Sequence, residues 1–286
     1  MKNIMPLILI VLFSSLILGC VTFGYNEAFL FANLGKYDEA IRYIDEKKQT
    51  MYTDNDQVLY LIEKGLLHHY SGDYKTSFLH LSDAEKQIFT YYSKSVSQKV
   101  GSYILNDTVV DYSGEDFEDI YINIFNALNF IKQNDIDSAF VEIRRFDNKQ
   151  RDLSSKYAAS IAEAKSLVNQ NIDTDIDNNP EFHNSALARY LSMIMYRSIG
   201  DIDSATIDRA KIDNAFYLQS KIYDFSQPKN LDDELYIPKQ KARLNCIAFS
   251  GLSPLKTEVI QRIPYVDSNK DLNYIQIALP IMEKQN

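Results

Sequence analysis

I-G-D-I-D-S-A, from Ile199 to Ala205, is the stretch that decides the fold, because closely related seven-residue stretches occur three more times in the chain. The other copies are L-G-K-Y-D-E-A at 34–40, S-G-D-Y-K-T-S at 71–77 and Q-N-D-I-D-S-A at 133–139. Apolar residues at helical spacing precede and follow each copy. Each copy therefore predicts a tight turn between two antiparallel helices.

The residue types within the repeated stretch explain how such a turn forms. Its second position always holds a residue that readily adopts a positive φ and ends a helix: Gly35, Gly72, Asn134 and Gly200. An aspartate close behind is expected to cap the next helix: Asp38, Asp73, Asp135 and Asp201. The last position is always small, which predicts close approach of two helices: Ala40, Ser77, Ala139 and Ala205.

This order of a glycine, a large apolar residue and a small residue resembles the turn of a tetratricopeptide repeat. Gly35 and Gly72 are 37 residues apart, near the roughly 34 residues of that repeat. The later turns are 62 and 66 residues apart, which indicates longer helices. Ile136 to Asn169 contains neither Gly nor Pro and predicts one helix of about 50 Å. The resemblance implies a mostly α fold, an α-solenoid of antiparallel hairpins.

Length and composition indicate a folded chain with a sizeable core, since 45% of its 286 residues are hydrophobic. The 39 acidic and 30 basic residues give a formal charge of -9. Together with the lack of a Lys/Arg-rich run, this charge argues against nucleic acid as a partner and leaves cationic partners open. The two cysteines, Cys20 and Cys246, form no CxxC motif and support neither a disulfide framework nor a structural zinc site.

Residues 1–19 have the pattern of a signal peptide, with Lys2 ahead of the apolar run from Ile4 to Leu18. The end of this run, I-L-G-C at 17–20, resembles a bacterial lipobox. The resemblance implies cleavage before Cys20, acylation of Cys20 and anchoring of the body to a membrane by that lipid. Val21 is not acidic, which favours the outer membrane, facing the periplasm. The alternative is an uncleaved anchor, since the run is near the lower length limit for a membrane span.

The chain divides into a helical domain at 20–224 and a β-rich region at 225–286. Within the helical domain, Val100–Gly114 is expected to be a connector, with Ser113 capping a helix from Glu115. Asn171–Asn184 is expected to be a loop. Its aspartates at 173, 175 and 177 resemble part of a calcium loop, but the required glycine and the final glutamate are missing.

The sequence of the C-terminal region predicts a small sheet. Short apolar or alternating runs between prolines predict three strands, at Leu244–Phe249, Glu258–Ile263 and Tyr274–Leu279. Turns are expected at Ser250-Gly251 and at Asp267–Lys270. Cys246 lies within the first predicted strand and is expected to be a buried small hydrophobe.

Several longer stretches resemble an uncharacterised family of bacterial tetratricopeptide-like (TPR-like) envelope lipoproteins, from about residue 20 to the end. They are N-D-Q-V-L-Y-L-I-E-K-G at 55–65, S-G-D-Y-K-T-S at 71–77, Y-S-G-E-D-F-E-D at 112–119, A-F-V-E-I-R-R at 139–145 and G-L-S-P-L-K-T-E at 251–258. The resemblance implies a lipid-anchored protein built of TPR-like helical repeats, and it carries no assigned chemistry.

One group of charges stands out near the third turn. Glu142, Arg144 and Arg145 follow that turn, and Glu115 and Glu118 begin the preceding helix, so an antiparallel hairpin is expected to gather them. Glu142 lies at the margin of an apolar stripe and is expected to be partly buried. Three interpretations are open: an ion-pair network that orients two helices, a docking site for a peptide or an anionic envelope polymer, and a catalytic site.

Motifs for catalysis are missing from the sequence. It contains no phosphate loop, dinucleotide fingerprint, nucleophile elbow or His-Glu-x-x-His helix. The four histidines, at 68, 69, 80 and 183, are not spaced as metal ligands, and neither a cofactor nor a metal is expected. The leading hypothesis is therefore a lipid-anchored scaffold of the cell envelope that binds envelope proteins or peptides. The alternatives are an accessory protein that binds a glycan or another envelope polymer, and an enzyme with an unrecognised site.

Overall fold

The computed structural model of the chain describes residues 23–98, 112–167, 185–220, 223, 225–249, 255–266 and 272–283. The predicted signal peptide, the lipidation site Cys20, the loop at 171–184 and His183 lie outside these residues. So do both predicted turns of the C-terminal region and most of the predicted connector at 100–114. In the part of the chain that is described, no helix is both long enough and apolar enough to span a bilayer.

The described residues are mostly helical, as predicted. The α-helices are α1 (Phe23–Asn33), α2 (Tyr37–Glu46), α3 (Lys48–Met51), α4 (Gln57–Ser71), α5 (Tyr74–Gln98), α6 (Asp116–Lys132), α7 (Ile136–Leu167), α8 (Ala186–Ser198) and α9 (Ile202–Leu218). Short 3-10 helices span Asp54–Asp56 and Leu231–Glu234. The long helix expected from Ile136 is confirmed over the 32 residues of α7.

The four repeated stretches form four tight turns. Their second residues all have positive φ, which is 70° at Gly35, 90° at Gly72, 61° at Asn134 and 82° at Gly200. The small residues at the last position are all fully buried, as expected for helices in close contact: Ala40, Ser77, Ala139 and Ala205. These predictions from local sequence are confirmed.

The predicted aspartate cap is present in three of the four turns. The Asp73, Asp135 and Asp201 carboxylates accept a hydrogen bond from a backbone N–H three residues later, at 3.2, 3.1 and 3.0 Å. The prediction for Asp38 is wrong, because α2 begins at Tyr37 and Lys36 occupies the capping position without a side-chain bond. Lysine offers no acceptor, so this helix begins without a side-chain cap.

Helices joined by these turns pack against each other and form four hairpins. We number them hairpin 1 (α1, α2), hairpin 2 (α4, α5), hairpin 3 (α6, α7) and hairpin 4 (α8, α9). Only two or three residues separate the two helices of each pair, so the chain reverses direction. Consecutive hairpins also touch, through α2 and α4, α5 and α6, and α7 and α8.

Buried apolar side chains form three clusters along the series of hairpins. The first joins hairpins 1 and 2 to α6, through residues such as Ile44, Leu81 and Ile122. The second joins hairpins 3 and 4, through Ile143 and Leu191 among others. At about 25 cal/mol per Å² of apolar surface removed from water, such burial is the main stabilising term.

The start of α6 differs from the prediction. Its N-cap is Glu115 rather than Ser113. Gly114 has a φ of 78°, and the Glu115 backbone is extended. The Glu118 carboxylate accepts a hydrogen bond from the Glu115 N–H at 2.8 Å. A glutamate three residues after the cap thus satisfies the cap's own backbone donor.

The chain divides into two compact units, one ending at Tyr236 and the other beginning at Ile237. Residues 225–236, which the sequence assigns to the β-rich region, belong to the helical unit. Leu231 and Leu235 are buried in the third cluster with Met193, Ala205 and Ile212. Glu234 accepts a bond of 2.9 Å from the Arg197 guanidinium of α8.

The second unit contains a two-stranded antiparallel ribbon, β1 (Leu255–Val266) and β2 (Leu272–Glu283), in which Leu255 pairs with Glu283 and Val266 with Leu272. In the described part of the chain, the sheet has two strands instead of the predicted three. Residues 244–249 form no strand among the described residues, and Leu244 is 87% exposed. Cys246 is exposed, so its predicted burial is wrong. Without a partner ladder, an alternating segment stays irregular.

Candidate functional site

A cavity of about 940 Å³ lies beside α5, the segment before α6, and α7. Among the described residues that line it, acidic side chains outnumber basic ones five to three. The acidic residues are Glu85, Glu115, Asp116, Asp119 and Asp152, and the basic residues are Lys86, Arg145 and Lys149. We call it the acidic cavity. Ile88, Phe89 and Leu153 add apolar surface to its lining.

Helical spacing on α7 places two of the three basic residues, Arg145 and Lys149, in the lining of this cavity. Arg145 and Lys149 are four residues apart and therefore lie one above the other on one helix face. Glu142, three residues before Arg145, lies on the same face and is only 3% exposed. Glu85 reaches this face from α5, and Asp119 reaches it from α6.

These side chains form one continuous network. The Lys149 Nζ lies 2.6 Å from Glu85 and 2.7 Å from Asp119. The Arg145 guanidinium pairs with Glu85 and, at 2.9 Å, with Glu142. Each cation thus bridges two carboxylates from different helices, which ties hairpin 2 to hairpin 3.

Asn123 completes the network at its buried end. This fully buried side chain of α6 donates from Nδ2 to Glu142 Oε2 at 2.7 Å and to Glu85 Oε1 at 3.3 Å. All four carboxylate oxygens of Glu85 and Glu142 therefore have a donor within the network. Such pairing offsets the cost of removing these charges from water.

The two acids that Lys149 bridges have pKa values shifted in opposite directions. Burial alone would raise the pKa of Glu85, but the Lys149 ammonium and the Arg145 guanidinium outweigh it and hold the pKa below its ordinary value. Burial raises the pKa of Asp119, and Lys149 offsets this only in part, because Glu85 and Asp116 are also close. The same ammonium therefore favours ionisation of both acids, but it outweighs burial only at Glu85.

The structure brings together only part of the group predicted from the sequence. Glu142 and Arg145 form an ion pair, and Glu115 lines the same cavity as Arg145. Glu118 points elsewhere. Its carboxylate accepts a hydrogen bond of 2.5 Å from the Tyr112 hydroxyl and interacts with Glu63, whose pKa is raised by burial and by Glu118.

Arg144 also lies apart from the acidic cavity. It lines a second cavity, of about 310 Å³, with residues of α8 and α9. Arg189 of α8 lies at this cavity, between Asp147 of α7 and Asp208 of α9. We call it the Arg189 cavity. Consecutive helical residues point about 100° apart, so Arg144 and Arg145 serve different surfaces of α7.

Sequence reasoning missed three central members of the network. Lys149 and Asp119 follow Arg145 and Glu115 by four residues, and this spacing places them on the same helix faces. Glu85 gives no such signal, because it comes from another hairpin, 60 residues before Arg145. Contacts between hairpins do not follow from helical periodicity.

The three histidines among the described residues, His68, His69 and His80, lie on the two helices of hairpin 2. The His68 and His80 rings stack with centroids 5.4 Å apart, and His69 Nδ1 lies 2.7 Å from Asn129 Oδ1. Burial lowers the pKa of all three imidazoles. In the described part of the chain, no three His, Cys, Asp or Glu side chains are grouped to hold a metal ion.

The central carboxylates of the acidic cavity are held in ion pairs. Glu85 pairs with Lys149 and Arg145, and Asp119 pairs with Lys149. Comparison of the chain with models of protein families, with curated proteins and with solved structures gives no match.

Proposed function

We propose that the chain is a lipid-anchored scaffold of the bacterial cell envelope that binds a segment of a partner protein and performs no catalysis. Its helical part would be an α-solenoid of TPR-like hairpins. Four turns with the same residue pattern, and contacts between consecutive hairpins, support this architecture. The lipobox resemblance at residues 17–20 supports the anchor.

The acidic cavity is the observation that supports a binding role. Five acidic and three basic side chains line it, and Ile88, Phe89 and Leu153 lie beside them. Phe89 is 72% exposed and adds apolar surface beside these charges. Charge and apolar surface together favour a peptide segment with Lys or Arg next to a large apolar residue.

A glycan is a weaker candidate for this cavity. Sugar rings stack on exposed aromatic side chains, and a cluster of tyrosines at the cavity would favour such a ligand. None of the described residues that line the acidic cavity is a tyrosine. An anionic polymer is disfavoured by the excess of carboxylates.

A pair of synthetic peptides tests the binding role. One alternates lysine with leucine, and the other, of equal length, alternates glutamate with leucine. We expect the lysine peptide to bind more tightly in fluorescence anisotropy and to lose affinity as salt is added. Replacing the exposed Asp152 by Asn is expected to weaken it about two- to fivefold, which is the contribution of a surface ion pair.

Asp137→Asn is the matched control, because Asp137 is also exposed and on α7 but does not line the cavity. Equal binding of the two peptides would contradict the proposal. An equal effect of the two substitutions would show that the peptide binds elsewhere on the protein.

Two measurements in the cell complete the test. Mass spectrometry of the mature protein is expected to show acylated Cys20 as the first residue, and the Cys20→Ser variant is expected to be released from the membrane. A photo-crosslinking residue at Phe89 is expected to capture one recurrent polypeptide, and one at Tyr217, which is 81% exposed, is not. A mature chain that begins with Met1 would refute the anchor.

A further inference from the structure

Helix α1 exposes apolar side chains along one side. Phe29, Leu30 and Leu34, the last of which directly follows the helix, are 54%, 55% and 62% exposed. Leu30 and Leu34 are four residues apart and are therefore neighbours on the helix surface. The opposite side of α1 packs inward, since Ala28 lies against the first apolar cluster. We call the three exposed residues the α1 apolar face.

Little charge interrupts this surface. Glu27 is the one charged residue in the sequence of α1. It lies at the edge of the α1 apolar face, where its carboxylate is hydrogen-bonded to the Tyr43 hydroxyl of α2. The remaining exposed residue described in α1 is Asn33, which is polar but uncharged. The face can therefore enter the headgroup region of a bilayer without burying a charge.

The last α-helix of the helical unit differs from the first in this respect. The exposed residues of α9 include two carboxylates, Asp203 and Asp213, beside the apolar Ile207. A helix at the end of a repeat series has no neighbouring hairpin on its outer side, and a polar outer surface suits it to water. The exposed surface of α9 carries charge in this way, whereas that of α1 is mainly apolar. We therefore expect a layer other than water to cover α1.

The position of α1 in the chain indicates which layer this is. Only two residues separate the proposed acylation site, Cys20, from Phe23 at the start of α1. Since consecutive Cα atoms are about 3.8 Å apart, α1 begins within about 11 Å of Cys20 whatever the conformation between them. An acylated Cys20 is held at the bilayer surface, and an interfacial helix buries its apolar face about 5–10 Å into the boundary of headgroups and acyl chains. The anchor therefore brings α1 to the level at which lipid covers such a face.

We propose that α1 lies along the bilayer surface, with the α1 apolar face among the lipid headgroups and the upper parts of the acyl chains. α2, which packs on the other side of α1, then lies towards the water. This inference rests on the proposed lipid anchor at Cys20 and adds a second point of attachment to it. Two points fix which side of hairpin 1 meets the membrane, whereas an acyl chain alone is a flexible tether.

Tryptophan fluorescence tests this contact, because the chain contains no tryptophan of its own. The Phe29→Trp variant is purified from membranes in its acylated form and placed in vesicles of phosphatidylcholine with brominated acyl chains. We expect its emission to shift to shorter wavelength in vesicles and most of its intensity to be lost to bromine quenching, since tryptophan is favoured at the membrane interface. Adding Leu30→Ser and Leu34→Ser removes apolar surface from the face and is expected to restore most of the emission.

Tyr217→Trp is the matched control, because it also replaces an exposed aromatic residue, on α9. Both substitutions are at exposed positions, so loss of folding does not obscure the result. Mass spectrometry of the same samples shows whether Cys20 is acylated. If the chain is acylated but bromine quenches Phe29→Trp no more than Tyr217→Trp, the contact of α1 is refuted and the anchor stands. If Cys20 carries no lipid, the anchor is refuted, and this inference with it.

Discussion

The acidic cavity and the Arg189 cavity lie on different surfaces of the same helix, α7, and both contain charges removed from water. In the acidic cavity, every carboxylate oxygen of Glu85 and Glu142 has a donor, from Arg145, Lys149 or Asn123. In the Arg189 cavity, Asp147 Oδ1 and Asp208 Oδ2 have none among the described residues. The carboxylates of Glu85 and Glu142 are therefore fully hydrogen-bonded within the described residues, whereas those of Asp147 and Asp208 are not.

The two cavities thus differ in how completely their buried carboxylates are hydrogen-bonded. Carboxylates with every oxygen bonded, such as those of Glu85 and Glu142, help to fix how two hairpins meet, although Asn123 Oδ1 of the same network is buried without a donor among the described residues. A network with buried acceptors left over has given up hydrogen bonds to water without replacing them. The two cavities should therefore respond differently to the loss of a cation.

Removal of Arg189 is expected to have the largest effect. The Arg189→Met variant keeps much of the side-chain volume but leaves Asp147 and Asp208 close together without their shared cation. We expect a loss of about 3–5 kcal/mol in the free energy of unfolding, as for other buried pairs that lose one partner. Chemical denaturation followed by circular dichroism measures it.

Arg144→Met is the matched control for this prediction, since it removes the same charge from the same cavity at an exposed position. We expect a change within about 0.5 kcal/mol, as for most surface substitutions. Equal losses in the two variants would mean that Arg189 contributes through net charge alone and not through its buried pairs.

Removal of Lys149 from the acidic cavity is expected to have a smaller effect. Glu85 keeps Arg145 and Asn123 as donors in the Lys149→Met variant, so chiefly Asp119 loses its partner. We expect a loss of about 1–3 kcal/mol in the free energy of unfolding, the cost of leaving one buried polar group unsatisfied. The same denaturation experiment measures it.

Lys86→Met controls for charge at this cavity, because Lys86 is also in the lining, and its one ion pair among the described residues is with the exposed Asp83, at 2.9 Å. We expect a change of less than about 0.5 kcal/mol there. A loss in Lys149→Met as large as that in Arg189→Met would remove the distinction between the two cavities.

Local parts of this fold could be predicted from the sequence, because local interactions determine them. The positive φ at Gly72 or Asn134, and the caps at Asp73 and Asp135, depend on residues within one turn of each other. Helix periodicity likewise placed Glu142 and Arg145 on one face of α7. The exception is the first turn, in which Lys36 occupies the capping position. This turn forms without a side-chain cap, with Ala40 fully buried behind it.

Contacts between hairpins could not be predicted in this way. Glu85 pairs with Arg145, which follows it by 60 residues. Arg189 pairs with Asp208 within hairpin 4 and with Asp147, which belongs to hairpin 3. Which residues of two helix faces meet depends on packing that a single sequence does not reveal. The sequence therefore predicted one group from Glu142, Arg144 and Arg145, where the structure has two cavities.

The C-terminal ribbon shows a different reason for error. The predicted strands ended at Ile263 and Leu279, each just before a proline, but β1 and β2 continue through Pro264 and Pro280. Proline interrupts a central strand because it lacks a backbone donor. Both strands of a two-stranded ribbon are edges, so a proline can face outward without breaking the pairing.

Titration of the acidic cavity is expected to show the smallest effect, and it distinguishes the two acids that Lys149 bridges. Glu85, with its pKa held down, contributes stability that is present above its ordinary value of 4.5 and is lost as the pH falls through the folded-state pKa. Asp119, with its pKa raised from 3.8, binds its proton more tightly when folded, so its contribution is lost as the pH rises through that pKa.

Carboxyl ¹³C shifts in NMR spectra should therefore give a midpoint below 4.5 for Glu85 and above 3.8 for Asp119. In Lys149→Met both midpoints are expected to move up, since the same ammonium lowers both pKa values. If only the Asp119 midpoint moved, Arg145 alone would hold Glu85 ionised, and the acidic cavity would consist of two separate pairs rather than one network.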